Sequence, residues 1–170
     1  ITSDDDGLNA SSSIVINGRL ISCYSTGNDA IDSNGNMAIN GGTIVASGTT
    51  APEEGFDCDQ NNFAIRGGTM IGTGGASSSP TAASCTQRSV LYKAAGSSGT
   101  VVQVKSATGD VLVYKLPRTY SGGGGGGGST ASMTMLFSVP NLTNVTYSIV
   151  TNVTVTSGTA TPEIYTGATV

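Results

Sequence analysis

Acidic side chains return in this chain at a near-constant interval. Asp6, Asp29 and Glu54 each open a short segment of the same type, and three positions later Asn9, Asp32 and Asp57 form a second set. Asp4, Asp5, Glu53 and Asp59 flank them. If the segments stack as neighbouring strands, like charges about 4.8 Å apart repel by ~1 kcal/mol in water and by ~3 to 4 kcal/mol at an effective dielectric of 20. Acids in register therefore need compensation, and Arg19 is the one basic residue in positions 1–59. Clustered carboxylate and amide oxygens without soft ligands suit Ca²⁺, whose irregular shell of oxygens tolerates such corners better than Mg²⁺ does. The candidate ligands are Asp6, Asp29, Asp32, Glu54, Asp57 and Asp59. A competing reading needs no metal: Asn and Asp at corners bond to backbone amides or to each other, and an exposed acidic edge is simply solvated.

Other chemistries are poorly supplied. The sequence contains no His, which removes Ser-His-Asp triads, histidine zinc sites and imidazole proton shuttles. Arg19 and Arg66 are the only bases in the repeated region and occupy unlike positions, so no base stands paired with the acidic columns for proton abstraction from a sugar acid. Stacked acids lie closer together than either glycosidase geometry requires. The chain is expected not to be an enzyme. Trp is absent, so sugar stacking would fall to tyrosines; Tyr24, Tyr92, Tyr114 and Tyr120 are candidate platforms, whereas Phe56 and Phe63 fall in apolar positions. Of the three cysteines, Cys23 falls at an apolar position, and a Cys58–Cys85 bridge stays open as an alternative to free thiols. The run Gly122–Gly128 lacks the Lys-Ser/Thr sequel of a phosphate-binding loop and reads as a surface loop.

The elements that must place the acids come from the repeat itself. Its offset is 23 residues, then 25 to 26. Laid over one another, the copies give apolar columns: Leu8, Ile31 and Phe56; Ile14, Met37 and Phe63; Ile16, Ile39 and Ile65; Ile21, Ile44 and Met70; Cys23, Ala46 and Gly72. Asn17-Gly18, Asn40-Gly41-Gly42 and Arg66-Gly67-Gly68 supply corners. A unit this short cannot bury its apolar face alone and must stack on its neighbours, which is the signature of a β-solenoid. The expected organisation is all-β: parallel coils over residues 1–75, about three turns; a linker over 76–88; and an antiparallel β domain over 89–170. Strands are expected at Ser89–Ala94, Thr100–Lys105, Val111–Leu116, Ala131–Val139 and Val145–Thr156, with a hairpin turn at Ala107-Thr108-Gly109-Asp110.

Nine of the eleven acids lie before residue 60, and six of the seven bases lie after it. The acidic half would repel nucleic acid. No apolar run is long enough to span a membrane, and no basic segment followed by an apolar one marks a signal peptide. The first residue is Ile1, inside a repeat motif, which suggests a processed or truncated product. Asn-X-Ser/Thr acceptors occur at Asn9, Asn141, Asn144 and Asn152; the last three cluster towards the C-terminus and are the candidates for glycosylation, while Asn9 sits in the acidic set.

The order of several short motifs carries a family resemblance. Ser3-Asp4-Asp5-Asp6-Gly7-Leu8-Asn9-Ala10, Asn28-Asp29-Ala30-Ile31-Asp32-Ser33-Asn34-Gly35 and Ile39-Asn40-Gly41-Gly42-Thr43-Ile44-Val45 are followed by Arg88-Ser89-Val90-Leu91-Tyr92, Gly99-Thr100-Val101-Val102, Ala107-Thr108-Gly109-Asp110-Val111 and Thr146-Tyr147-Ser148. Over roughly residues 3–150 this resembles secreted microbial carbohydrate-binding proteins built as right-handed parallel β-helices, similar in fold to pectate lyases and associated with calcium. The resemblance implies an extracellular or cell-surface, non-catalytic module that binds polysaccharide with calcium, an acidic polysaccharide being bridged through the Asp columns. A second expectation follows from the unpaired edge of the first coil, a template for strand pairing that is either covered by sequence missing here or used for assembly: a structural subunit that self-associates end to end into an extracellular filament. A third, weaker one is a pectate-lyase-like polysaccharide lyase.

Overall fold

The computed structural model describes residues 1–59, 62–120 and 133–170. Its first part is a β-solenoid of about three turns. In chain order its strands are β1 (Thr2–Ser3), β2 (Leu8–Ala10), β3 (Ser13–Ile16), β4 (Leu20–Ser25), β5 (Ile31–Ser33), β6 (Asn36–Ile39), β7 (Thr43–Ser47), β8 (Phe56–Cys58), β9 (Phe63–Ile65) and β10 (Thr69–Gly74). The C-terminal strands are β11 (Val90–Ala94), β12 (Val101–Ser106), β13 (Gly109–Lys115), β14 (Met133–Ser138), β15 (Ser148–Thr151), β16 (Ser157–Thr161) and β17 (Ile164–Thr169).

Each turn of the solenoid gives one strand to each of three parallel stacks: β2-β5-β8, β3-β6-β9 and β4-β7-β10. Every apolar column expected from the repeat is a column of paired residues: Leu8 lies beside Ile31 and Ile31 beside Phe56, Ile16 beside Ile39 and then Ile65, Ile21 beside Ile44 and then Met70. Alternation along each short strand turns these side chains inward, where Ile31, Ile39, Ile65, Phe56 and Phe63 are fully buried. The column Cys23, Ala46, Gly72 narrows as it descends because Phe56 swings into its space; a Cβ on Gly72 would overlap the Phe56 ring. That ring packs on Phe63 at a centroid distance of 5.7 Å.

The corner before the long stack needs a left-handed backbone in every turn. Arg19 (φ 77°), Gly42 (φ 102°) and Gly68 (φ 89°) occupy it. At Gly42 and Gly68 a Cβ would run into the backbone of the preceding turn, whereas Arg19 in the first turn meets no such neighbour and keeps its side chain despite the backbone strain. Asn40 donates to Asn17 (Nδ2 to Oδ1, 2.8 Å) and Arg66 donates to Asn40 (Nη1 to Oδ1, 3.3 Å), so the adjoining corner is a side-chain ladder.

The segment 76–88, expected as a linker, caps the coils. Ser78, Thr81 and Thr86 donate their backbone N–H groups to the carbonyls of Phe56, Phe63 and Ile65 at 2.8–3.0 Å. Their neighbours on β8 and β9 are satisfied by side chains: Ser78 Oγ accepts from Cys58 N (2.9 Å), Thr81 Oγ1 from Phe63 N (3.1 Å) and Cys85 Sγ from Ile65 N (3.2 Å). Two hydroxyls and a thiol thus stand where a fourth coil would place carbonyls, sealing an otherwise reactive strand edge. The Cys58–Cys85 bridge is not formed. All three cysteines are free, Cys23 and Cys58 are buried, and the Cys58 thiol donates to Gly35 O (3.2 Å).

The C-terminal half contributes strands to the solenoid's long sheet and forms a separate antiparallel sheet of its own. β14 pairs antiparallel with β10, and β11 pairs antiparallel with β14, so the long stack continues as a six-stranded sheet in the order β1-β4-β7-β10-β14-β11. The other strands form the antiparallel sheet β15-β12-β13-β17-β16. It covers the outer face of the six-stranded sheet, and a second core forms between them from Val45, Ile71, Met135 and Phe137 on one side and Val102, Val104, Leu112 and Tyr114 on the other. The expected hairpin is present, with Ser106 paired to Gly109. The single strand expected over Val145–Thr156 is shorter: β15 ends at Thr151, before Asn152 at φ 60°, and the chain starts again at β16. The run Gly122–Gly128, and Ala131 and Ser132 of the expected strand at Ala131–Val139, lie outside the described residues.

Overlap at the narrowing column gives a measurable coupling. Gly72→Ala should destabilise by ~1 to 3 kcal/mol in urea unfolding, and Phe56→Leu, which retracts the ring, should make the double variant more stable than the sum of the single changes allows, by about 1 kcal/mol. Strict additivity would mean that the two residues do not compete for the same space.

Candidate acidic face

β2, β5 and β8 carry the acids, because their middle residues point away from the core. Asn9 pairs with Asp32 and Asp32 with Asp57, giving one ladder across three turns. The second column lies just upstream, where Gly7 N donates to Asp29 O (3.3 Å) and Ala30 N to Glu54 O (3.1 Å), keeping Asp6, Asp29 and Glu54 in step. The two sets expected from sequence are therefore brought together on one face of the solenoid. Asp59 follows the same strand and acts electrostatically on Asp32.

Asn9 mediates between the columns. Its Nδ2 donates to Asp6 Oδ2 (2.6 Å) and to Asp32 Oδ2 (2.6 Å). Asn34 Nδ2 lies 3.4 Å from Asp32 Oδ2, and Asn28 Nδ2 donates to Asp5 Oδ1 (2.8 Å). Asp29 Oδ1 accepts the backbone N–H of Glu54, and Ser78 Oγ donates to Asp57 Oδ1 (3.2 Å). On this face the buried oxygens Asp6 Oδ1 and Glu54 Oε2 have no hydrogen-bond partner, as is also true of the Tyr114 hydroxyl and Glu163 Oε2 in the C-terminal half.

Burial and mutual repulsion raise three of these carboxyls. Asp29, only 8% exposed, is pushed up to about 7, first by desolvation and then by Asp57, Glu53 and Asp6, against the bond from Glu54 N. Glu54 rises to about 7 through burial, opposed by hydrogen bonds from Ser78 and reinforced by Asp57 and Asp29. Asp32 rises to about 6 through burial and then Asp6, Asp57 and Asp59. The charged neighbours acting on all three are acids. As donors, such hard oxygens suit a divalent cation, and each partnerless oxygen, one in the first turn and one in the third, is a free ligand position for such an ion. As they stand, no three acidic or cysteine groups among the described residues converge tightly enough to hold a metal ion. The amide of Asn9 fills the gap between Asp6 and Asp32 instead.

Elsewhere the structure redistributes the expected residues. Tyr114 and Tyr120 are fully buried and cannot serve as sugar platforms. The Tyr120 hydroxyl donates to Gly48 O (2.8 Å) and lies 3.2 Å from Ser47 Oγ and 3.1 Å from Thr73 Oγ1, pinning the chain after β13 to the solenoid. Tyr24 is covered by the Arg118 guanidinium, 4.1 Å from its ring centroid, and Arg118 also donates to Ser25 O. Tyr92, on β11, is half-buried against the second core. Arg66 is engaged at the asparagine ladder, away from the acids of β2, β5 and β8. The acceptors Asn141, Asn144 and Asn152 are exposed. Among the described residues, no helix is long and apolar enough to cross a membrane.

The fold and its acidic face define a β-solenoid protein with an extended anionic surface. Comparison with family models, with curated proteins and with solved structures gives no match to this chain.

The raised carboxyls make a signed pH prediction. The folded chain keeps the Asp29 and Glu54 protons up to about pH 7, whereas the unfolded chain releases them near pH 4. Their contribution to stability is complete below about pH 4 and is lost as the pH rises to about 7. In chelator, the urea midpoint of the wild type relative to Asp29→Asn/Glu54→Gln should fall across that interval. A wild-type-to-variant difference that stays flat with pH would show that neither carboxyl is held protonated.

Proposed function

We infer that this chain is a non-catalytic, extracellular polysaccharide-binding module whose acidic solenoid face takes up calcium and uses it to bridge an acidic glycan. The observation that carries the reading is the pair of buried, partnerless oxygens, Asp6 Oδ1 and Glu54 Oε2, within columns whose charged neighbours are other acids. Such a face is unfavourable when ionised and gains from a divalent cation, which would replace the Asn9 amide as the mediator between Asp6, Asp32 and their neighbours. A bound ion with coordination left open to one side can take uronate oxygens as further ligands. The module needs no proton transfer, and the absence of His and of a base beside the acids accords with binding rather than turnover. The family resemblance supports the glycan class and the extracellular setting, and the exposure of Asn141, Asn144 and Asn152 leaves those acceptors open to modification there.

The second reading, self-association end to end into a filament, draws on the other end of the solenoid. Among the described residues the outer edges of β2 and β3 are unpaired, and Val15 and Leu20 beside them are 57% and 53% exposed. The cap of residues 76–88 closes the opposite end, so one open edge meeting another of the same kind stops at a dimer, and a filament would need the cap to be displaced.

Calcium should raise the thermal midpoint at pH 7.5, by an amount equivalent to about 2.7 kcal/mol at a hundredfold excess over Kd, and should permit retention on immobilised polygalacturonate that chelator reverses. Asp32→Ala/Asp57→Ala should abolish both effects while changing the midpoint little in chelator. Equal midpoints and equal retention with and without calcium would sink the proposal.

A further inference from the structure

A cleft lies far from the acidic columns in sequence and on a different sheet. β13 and β17 pair at one position only, Tyr114 with Ile164, and then diverge. The wedge between them, roofed by the loop that leads into β15, is an open groove of about 980 Å³. Tyr147 and Tyr165 both line it, together with hydroxyls such as Thr108 and Thr166 and the small residues Gly109 and Gly167. Like Tyr24 and Tyr92 they stay half-buried, whereas Tyr114 and Tyr120 are consumed by the core.

Both rings are held ready. The Tyr147 hydroxyl donates to Thr143 O (3.0 Å) and accepts from Thr143 N (2.9 Å), which fixes the ring against the roof loop before any ligand arrives. Tyr165 faces Ala160 across the β16–β17 pair, a neighbour too small to cover an aromatic face. Asp110 is the one charged residue on the lining, and its Oδ1 is anchored by Gln103 Nε2 at 2.7 Å. With no base in the groove and one fixed carboxylate, an anionic ligand is disfavoured. A polypeptide strand is also poorly matched: Gly109 (φ 133°) and Gly167 (φ 62°) interrupt the two facing edges, so neither can extend a regular ladder.

We propose that the groove between β13 and β17 is a second, calcium-independent site for a neutral oligosaccharide, with Tyr147 and Tyr165 as stacking platforms and the threonine hydroxyls and Asp110 as hydrogen-bonding partners for sugar hydroxyls. Rigid aromatic faces beside small residues and polar side chains are the pairing that sugar rings, apolar on one face and polar at the rim, require. The site shares with the preceding proposal only the class of ligand; its ion requirement, its residues and its preference for uncharged sugars differ.

The test uses the unglycosylated full chain, because Asn141, a candidate glycan acceptor, lies on the groove's lining. Neutral β-1,4-linked hexaoses of glucose, mannose and xylose are titrated in chelator at up to about 10 mM, a range suited to the weak affinity of a shallow site, and amide NMR shifts are mapped on the wild type. The expected result is saturable binding of at least one hexaose, with shifts confined to residues 106–113, 139–147 and 164–168. Tyr165→Ala should weaken it about tenfold or more, Tyr147→Phe should weaken it less by freeing the ring while keeping it, and Asp32→Ala/Asp57→Ala should leave it unchanged. No saturable shifts with any hexaose, shifts centred on the acidic face, or a groove that responds to an extended peptide but to no sugar would each overturn the proposal. A wild-type chain that binds hexaose but is not retained on polygalacturonate in calcium would refute the calcium reading alone.

Discussion

Parallel backbone stacking in strict register is the constraint from which the rest of this molecule follows. Each turn contributes only three to six residues to a strand, too few to stand alone, so stability comes from placing every inward side chain directly beside its equivalent one turn away. Where the equivalents differ in size, the column adjusts internally: Phe56, larger than its equivalents Leu8 and Ile31, takes the volume that Gly72, smaller than Cys23 and Ala46, leaves empty. The core is therefore filled by trading volume between adjacent columns.

The same register that rewards apolar residues penalises charged ones. A ladder of carboxylates cannot spread apart without breaking the backbone pairs that hold it, so the charge is managed locally. Asn9 is the plainest case, a neutral amide in a column whose other members are acids, donating to one acid in each column. Asp29 and Glu54 are managed by retaining protons, and Asp57 by the hydroxyl of Ser78 from the cap. The cap thus belongs both to the fold and to the face, since its Ser78 accepts from β8 and supports the acid that β8 displays.

The solenoid was legible because its period is written in residue types: each apolar column and both acidic columns can be drawn from the offsets alone. The cap was not, because Ser78, Thr81 and Cys85 act through hydroxyl and thiol acceptors in a segment with no apolar period. The sharing of one sheet by both halves was hidden as well. The alternation in β11 and β14 announces strands, and alternation does not say which neighbour a strand chooses. Tyrosines showed the limit most clearly. Tyr114 and Tyr147 both stand beside β-branched or polar neighbours in short strand-like runs, and only the packing of the second sheet decides that one is fully buried while the other reaches a groove. The disulfide alternative failed for a similar reason, since Cys58 and Cys85 each bond to a different part of the backbone.

The position of β14 bears on how the chain reaches this state. β11 precedes it in sequence by about forty residues, yet β14 lies between β11 and β10. During synthesis the edge of β10 emerges first and β11 second, and the strand that separates them is made last. Until it arrives, β10 offers an apolar, unoccupied edge that β11 can pair with wrongly, and the correct sheet requires a vacant slot to be held for a latecomer. Long-range insertion of this kind is slow and leaves partly built chains prone to sticking to one another, so the join between the two halves is where the topology exposes the chain to misassembly.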